Sequence, residues 1–428
     1  SAPLYGYLGD SFGRRKLMFV ALGMFTLGSI LNALAPSVTL IAASRFVQGL
    51  GGGGLMSLSQ ALIGEVVPPR QRGKYQGYLA TIAVTAAAFG PVAGAFLAEA
   101  FGWRAVFLVN VPTAILAFLL LFRLTPRPGA RKEGWNFDAA GLVYFVLFIA
   151  PMLLALEQFR RFDARGFQLA ALLGAVALIS LTLLVRQERR SPSPLLPVAL
   201  MRQRAIWTAQ AMAVCHGAAL VPLVAFTPIY MRIMGLGAPS QVGAALLSVS
   251  VGVGLVSMIT GRIVTRTGLT MIFPSIGMML TAGMFVYISL RAAQLTFDRF
   301  IVAMLLTAMC MGTVMGVIQV TVQTLAGRRM LGAAAGSVQL ARSVGASFGT
   351  AMFGVVLFAT VSATDPAAGE LFLQLLQRGA AALDGMEEAR KGLLLGEIAG
   401  GFRAAYLLLA LFAATGSLLA WSNPSRRI

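Results

Sequence analysis

Histidine occurs once in this chain, cysteine twice, and the acids only fifteen times among 428 residues. Each scarcity excludes something. Cys215 and Cys310 both lie inside apolar stretches, so no disulfide or metal framework is indicated and no cofactor is called for. His216 adjoins Cys215 in an apolar stretch, where a packed or cavity-lining ring is a plainer reading than a proton relay. Charge is scarce as well: 11% of residues are charged and 58% are apolar. A water-soluble protein of this length needs more polar surface to cover its core.

Long apolar runs are abundant instead. Complete stretches fall near 17–35, 39–62, 75–98, 105–122, 139–157, 166–185, 205–230, 241–264, 270–290, 299–325, 333–362 and 403–421. Each approaches the ~20 residues that a helix needs to cross ~30 Å of hydrocarbon. Residues 1–8 read as the tail of a further span. The expectation is an all-α, multi-pass integral membrane protein.

The formal charge of +19 then needs an account. Taking the connections alternately from the one at Asp10 to Lys16, 21 of the 34 lysines and arginines fall in the odd set with the C-terminus, and eleven in the even set. Excess positive charge marks the cytoplasmic side. The basic balance is therefore a topology signal with some attraction to anionic lipid, and nucleic acid is not an expected partner. None of the acids falls near the middle of these spans, and Glu65 and Glu157 at span termini come closest.

Pro- and Arg-rich stretches at 123–137 and 186–204 flank two plainly apolar spans. The domain reading is an N-terminal half at 1–122, a linker with two extra helices at 123–204, and a C-terminal half at 205–428. Segment 363–403 reads as an external loop with an amphipathic helix near 370–397. The halves carry a weak repeat: Gly6, Asp10 and Gly13 recur at the same spacing as Gly261, Thr265 and Gly268. The second copy lacks the acid and the basic cluster, so any charge lock belongs to the first half. Repeated halves with a substrate path between them are common in transporters.

In Gly6-Tyr7-Leu8-Gly9-Asp10-Ser11-Phe12-Gly13-Arg14-Arg15-Lys16, glycines permit a sharp turn and close helix contact. Asp10 can pair with guanidinium groups or meet a helix N-terminus in the other half. Contacts made in one of two conformers would form a switch, against the simpler role of a loop that only sets topology. Arg45 lies six residues into its span from the external end, about 9 Å deep at ~1.5 Å per residue. An arginine at that depth is costly and usually functional, although anchoring backbone is the alternative. Gly90-Pro91, with Gly94 one turn on, invites a kink with close packing beside it.

The first of these segments resembles the signature loop of the major facilitator superfamily. Arg45-Phe46-Val47-Gln48-Gly49-Leu50-Gly51-Gly52-Gly53 resembles a second signature, and Gly90-Pro91-Val92-Ala93-Gly94 the motif of its antiporter branch. Gly102-Trp103-Arg104 with Phe107, Asn110 and Pro112 is similar to a feature of the fourteen-helix drug:proton antiporters. The resemblance covers essentially the whole chain. It implies a major facilitator fold of two six-helix halves plus two central helices. About eight residues precede a loop that should follow two helices, so the first helix and most of the second would lie before residue 1. An aspartate motif of that first helix would then carry most of the proton traffic.

The implied function is export of amphipathic drugs or similar small molecules in exchange for protons across a cell membrane, in a bacterium the inner or plasma membrane. The alternatives are a specific metabolite carrier or a non-transporting scaffold or sensor. Asp10, Arg14 and Arg15 would bias the conformers, Arg45 with Gln48 and Gly49 would serve proton coupling, and Gly90, Pro91 and Gly94 would shape the moving interface. A periplasmic adaptor protein is implied only for double-membrane cells. Two enzyme-like patterns, Gly49 to Gly54 and Gly345-Ala346-Ser347-Phe348-Gly349, fit small-residue helix packing better than a dinucleotide loop or a nucleophile elbow.

Overall fold

The computed structural model describes residues 1–123, 138–158, 164–191, 198–236, 239–378 and 387–427. Among these the chain is almost entirely helical, with one isolated bridge between Leu269 and Arg427. The elements, in order, are α1 (Ala2–Phe12), α2 (Arg14–Leu34), α3 (Val38–Val66), α4 (Arg72–Phe101), α5 (Ala105–Leu108), α6 (Asn110–Phe122), α7 (Ala139–Gln158), α8 (Ala164–Arg190) and α9 (Val198–Met201). They continue with α10 (Arg204–Ile233), α11 (Pro239–Thr267), α12 (Ile272–Arg291), α13 (Phe297–Gly312), α14 (Met315–Ala326), α15 (Leu331–Thr364), α16 (Pro366–Arg378) and α17 (Glu388–Ser422).

Among the described residues ten helices, with α5–α6 and α13–α14 each taken as one, are long and apolar enough to cross a membrane. The protein is a multi-pass membrane protein. The expected spans at 39–62 and 75–98 form α3 and α4, of 29 and 30 residues, but neither belongs to the ten. In α3 the reason is composition: glycine, serine and glutamine, with Arg45, dilute the apolar residues.

Local chemistry explains the breaks. Pro112 has no N–H to offer the carbonyl of Leu108, and its ring crowds that carbonyl, so α5 and α6 part at Val109. Ser37 starts α3 by accepting the Leu40 N–H at 3.3 Å. Gly13, at φ 95°, turns the chain from α1 into α2 in a conformation that costs other residues strain. The external segment differs from the expected loop. An apolar stripe (Ala368, Leu371, Phe372, Leu375) seats α16 on the helix bundle, and Leu394 and Ile398 carry α17 back to Glu388. Residues 379–386 lie outside the described residues, as do 124–137 and 192–197 of the Pro- and Arg-rich stretches.

α1, α2, α3 and α6 pack together, and α10 packs on α14, α15 and α17. An aromatic knot of Tyr230, Phe300, Phe353, Phe402 and Tyr406 lies at the heart of the second group, with Tyr230 Oη donating to the Ala292 carbonyl at 2.5 Å. α7 pairs with α8, and Phe145 and Leu184 of this pair sit against Leu4 and Leu340. α4 joins the first group beside α3 and α5, and α11 joins the second beside α10 and α13; the two largest crossings between the groups are α1 on α15 and α4 on α11.

Candidate functional site

Both crossings are built on glycine. The backbone of Gly6 lies directly on that of Gly332, so a Cβ on either would collide with the other's carbonyl. Gly73 meets Gly261 in the same way, and one turn along Gly77 rests on the backbone of Ser257 and Met258. Gly6 and Gly261 are the corresponding glycines of the internal repeat, and Gly13 and Gly268 both take positive φ, 95° and 70°. The repeat is thus a repeat of shape, placed where the two groups meet.

The charges differ. Asp10, at the end of α1 beyond its apolar stretch, accepts the Gly332 N–H with both carboxylate oxygens at 2.9 Å, and the Ala333 N–H at 3.0 Å. These are free amides in the first turn of a 34-residue helix, the end where the helix dipole favours an anion. Arg14 pairs with Asp10 on one side and with Glu65 at the end of α3 on the other. Burial pushes the Asp10 carboxyl above its ordinary value, while Arg14 and the two amides pull it back. The corresponding Thr265 hydroxyl donates only to the Gly261 carbonyl of its own helix. Further bonds across the interface run from Gln323 Nε2 to the Gln60 carbonyl at 2.9 Å, and from Thr81 Oγ1 to the Gly254 carbonyl at 3.0 Å.

Arg15 stands apart from this latch. It donates to the carbonyls of Leu121 and Phe122 at 3.0 Å each and caps α6 within its own group. Arg45 donates to Gln48 Oε1 at 2.9 Å and lies over the Phe107 ring at 4.7 Å. Gln48 Nε2 donates to Ser29 Oγ at 2.7 Å, and Asn110 Nδ2 donates to the same oxygen at 3.3 Å. Sequence-expected Arg45, Gln48 and Asn110 therefore share one network, with Ser29 as its node. Gly49 adds a carbonyl that accepts from Ser1 Oγ at 3.3 Å. Arg104 stacks on Trp103 at 4.5 Å, Trp103 meets Phe107 edge-on, and Pro112 is exposed.

Gly90, Pro91 and Gly94 all fall within helical α4; nothing approaches the Gly90 Cβ position, and the Pro91 side chain lies outside the described residues. Gly345 and Gly349 rest on the backbones of Val214 and Ala218, and Gly51 on Ala21 and Phe25, so both enzyme-like patterns are helix-packing surfaces.

A cavity of about 630 Å³, counting its open part, lies between the groups. Met56, Leu79 and Val253 give it apolar wall, while His216, Gln319 and Arg342 give it polar groups. Sequence analysis named no site residue on α13 or α14. The signal was present: Met311, Met315 and Gln319 recur every four residues and line one face of the cavity.

Latch, cavity and helical architecture define a class, the helical membrane transporters built from two opposed groups. The sequence model of the Major Facilitator Superfamily matches residues 1–350, and the chain belongs to that family. That places it among transporters rather than enzymes. Multidrug transporter protein MdtP of Bacillus subtilis is 29% identical over 363 residues, which are 83% of this chain and 65% of that protein. Multidrug resistance protein Stp of Mycobacterium tuberculosis is 28% identical over 361 residues, 83% of this chain and 66% of the relative. Rv1877, an uncharacterized MFS-type transporter of M. tuberculosis, is 30% identical over 354 residues, 82% of this chain and 51% of the relative. The chain thus spans between half and two thirds of the length of these relatives. Among solved structures, the human organic anion transporter MFSD10 superposes with a TM-score of 0.66 at 14% identity, covering 98% of this chain and 80% of that one. The proton:xylose symporter XylE gives 0.63 at 14% identity, covering 99% and 83%. At such identity these two speak for the fold alone.

Proposed function

We propose that the protein exports amphipathic small molecules in exchange for protons by alternating access. The observation that carries this reading is the closed latch of Asp10 on α15 beside a central cavity lined by both helix groups. The latch end also carries the basic connections, so it is the cytoplasmic end and the cavity is sealed from the cytoplasm in this conformer. Opening would exchange the two amide bonds of Asp10 for water and expose the cavity on that side. The working division is 1–122 against 205–428, with 123–204 as the linker. Substrate, protons and lipid are the partners, and a periplasmic adaptor would be added only in a double-membrane envelope.

Arg45 holds the proton-coupling role in this reading. It acts by fixing Gln48 and by favouring an ionised partner nearby. The Multidrug names of two relatives support drug-like cargo. The test is efflux of an amphipathic dye from liposomes under an imposed pH gradient. Gradient-dependent efflux that Arg45→Ala abolishes is the expected result. Efflux that ignores the gradient contradicts proton exchange, and proton entry alongside inward substrate movement identifies a symporter.

A further inference from the structure

The cavity has an unusual balance of polar groups. Seven residues give it polar side chains: Gln60, Gln76, His216, Ser257, Gln319, Gln339 and Arg342. Among the described residues no carboxylate lines it. His216 is 2% exposed and Gln319 1%; the imidazole has only the Met311 carbonyl beside it, and neither amide atom of Gln319 makes a hydrogen bond. Gln60 Oε1 and Gln76 Nε2 are buried and unpartnered as well. Groups of this kind are normally satisfied, and each orphan costs free energy.

Arg342 is the one lining residue with a full charge. It is partly buried, its carbonyl is pressed against Gly217 beside His216, and among the described residues no acid pairs with it. An uncompensated guanidinium in a low-dielectric cavity repels cations and draws anions. Its planar fork suits a carboxylate, and the amide donors of Gln76 and Gln319 add hydrogen bonds to an anionic head. The methionine and aliphatic wall suits an adaptable apolar body.

We infer that the cargo is an amphipathic anion, a carboxylate or similar singly charged head on an apolar body, held by Arg342 with the unpartnered amides of Gln76 and Gln319. This deepens the transporter reading above and rests on it. Arg342 is the specificity-determining residue, and a lipophilic cation is the disfavoured cargo.

The test compares pyrenebutyrate, its neutral amide, and a pyrenylmethyl trimethylammonium salt. Each is titrated by fluorescence against the protein in phosphatidylcholine nanodiscs, with empty discs as the partition blank. The anion should bind about tenfold tighter than the amide, the worth of one charge-assisted hydrogen-bonded pair, and the cation most weakly. Arg342→Gln should bring the anion to the level of the amide, while Arg342→Lys keeps part of the preference. Equal binding of anion and amide, tighter binding of the cation, or a preference unchanged in Arg342→Gln overturns the inference. The wild-type ranking decides the matter even if Arg342→Gln fails to fold. Gradient-driven efflux of a dye together with no anion preference leaves proton exchange standing and removes this inference. Arg342-dependent anion binding without gradient-driven movement does the reverse.

Discussion

The two crossings that join the helix groups share a shape and differ in charge. At one, Gly6 lies on Gly332 and Asp10 reaches the free amides of α15; at the other, Gly261 lies on Gly73 and Thr265 turns back to its own helix. Close approach of backbones is thus needed at both, whereas a polar latch operates at only one. Geometry sets how the groups can meet, and the proposal is that a single carboxylate with its Arg14 and Glu65 partners biases whether they do.

The largest expected effect attacks what the crossings have in common. Gly6→Val and Gly261→Val each place side-chain atoms where backbone now lies, an overpacking cost of about 1–3 kcal/mol or more. Both should cut transport about tenfold or more, measured as dye efflux; tolerance at one position only would break the equivalence. Next comes the difference. Asp10→Ala strands two amides and leaves Arg14 with Glu65 alone, and charged hydrogen bonds are worth about 1.5–3 kcal/mol. Transport should fall by about tenfold, while Thr265→Val stays within about twofold by the same assay. Equal losses at the two sites would mean that the charge has no special part.

Smaller effects sharpen the account. Glu65→Gln keeps a hydrogen-bond acceptor for Arg14 and removes the charge, so a loss of about threefold to fivefold, near 1 kcal/mol, is expected in efflux rate. Ser29→Ala removes the node between Gln48 and Asn110, far from the latch. It should weaken the dependence on the pH gradient by about twofold and leave the latch closed, which cysteine accessibility at the cytoplasmic end can report.

Much of this was legible in sequence because it depends on runs and spacings. Apolar stretches marked the helices, the 6/10/13 and 261/265/268 spacing marked a repeat between two halves, and the position of Asp10 suggested a helix N-terminus as its partner. What was hidden depends on pairs distant along the chain. Nothing in its neighbours says that Glu65 meets Arg14, 51 residues away, or that Ser29 receives both Gln48 and Asn110. Arg15 sits beside Arg14 in the same basic cluster, yet successive helical residues point in different directions and it finds the end of α6 instead. α17 begins at Glu388 rather than near 403 because Leu394 and Ile398 pack against the bundle, a tertiary contact that overrides the charged flank around Arg390 and Lys391.

The central claim, that Asp10 holds the cytoplasmic ends together in one of two conformers, is tested most directly by a distance distribution across that end. Spin labels at the exposed positions Lys16 and Arg328, with Cys215 and Cys310 replaced by serine, report on the two groups from either side of the latch. Asp10→Ala should shift the population from the shorter to the longer distance, while Thr265→Val leaves the distribution of the parent protein. The same distribution in both variants would contradict it.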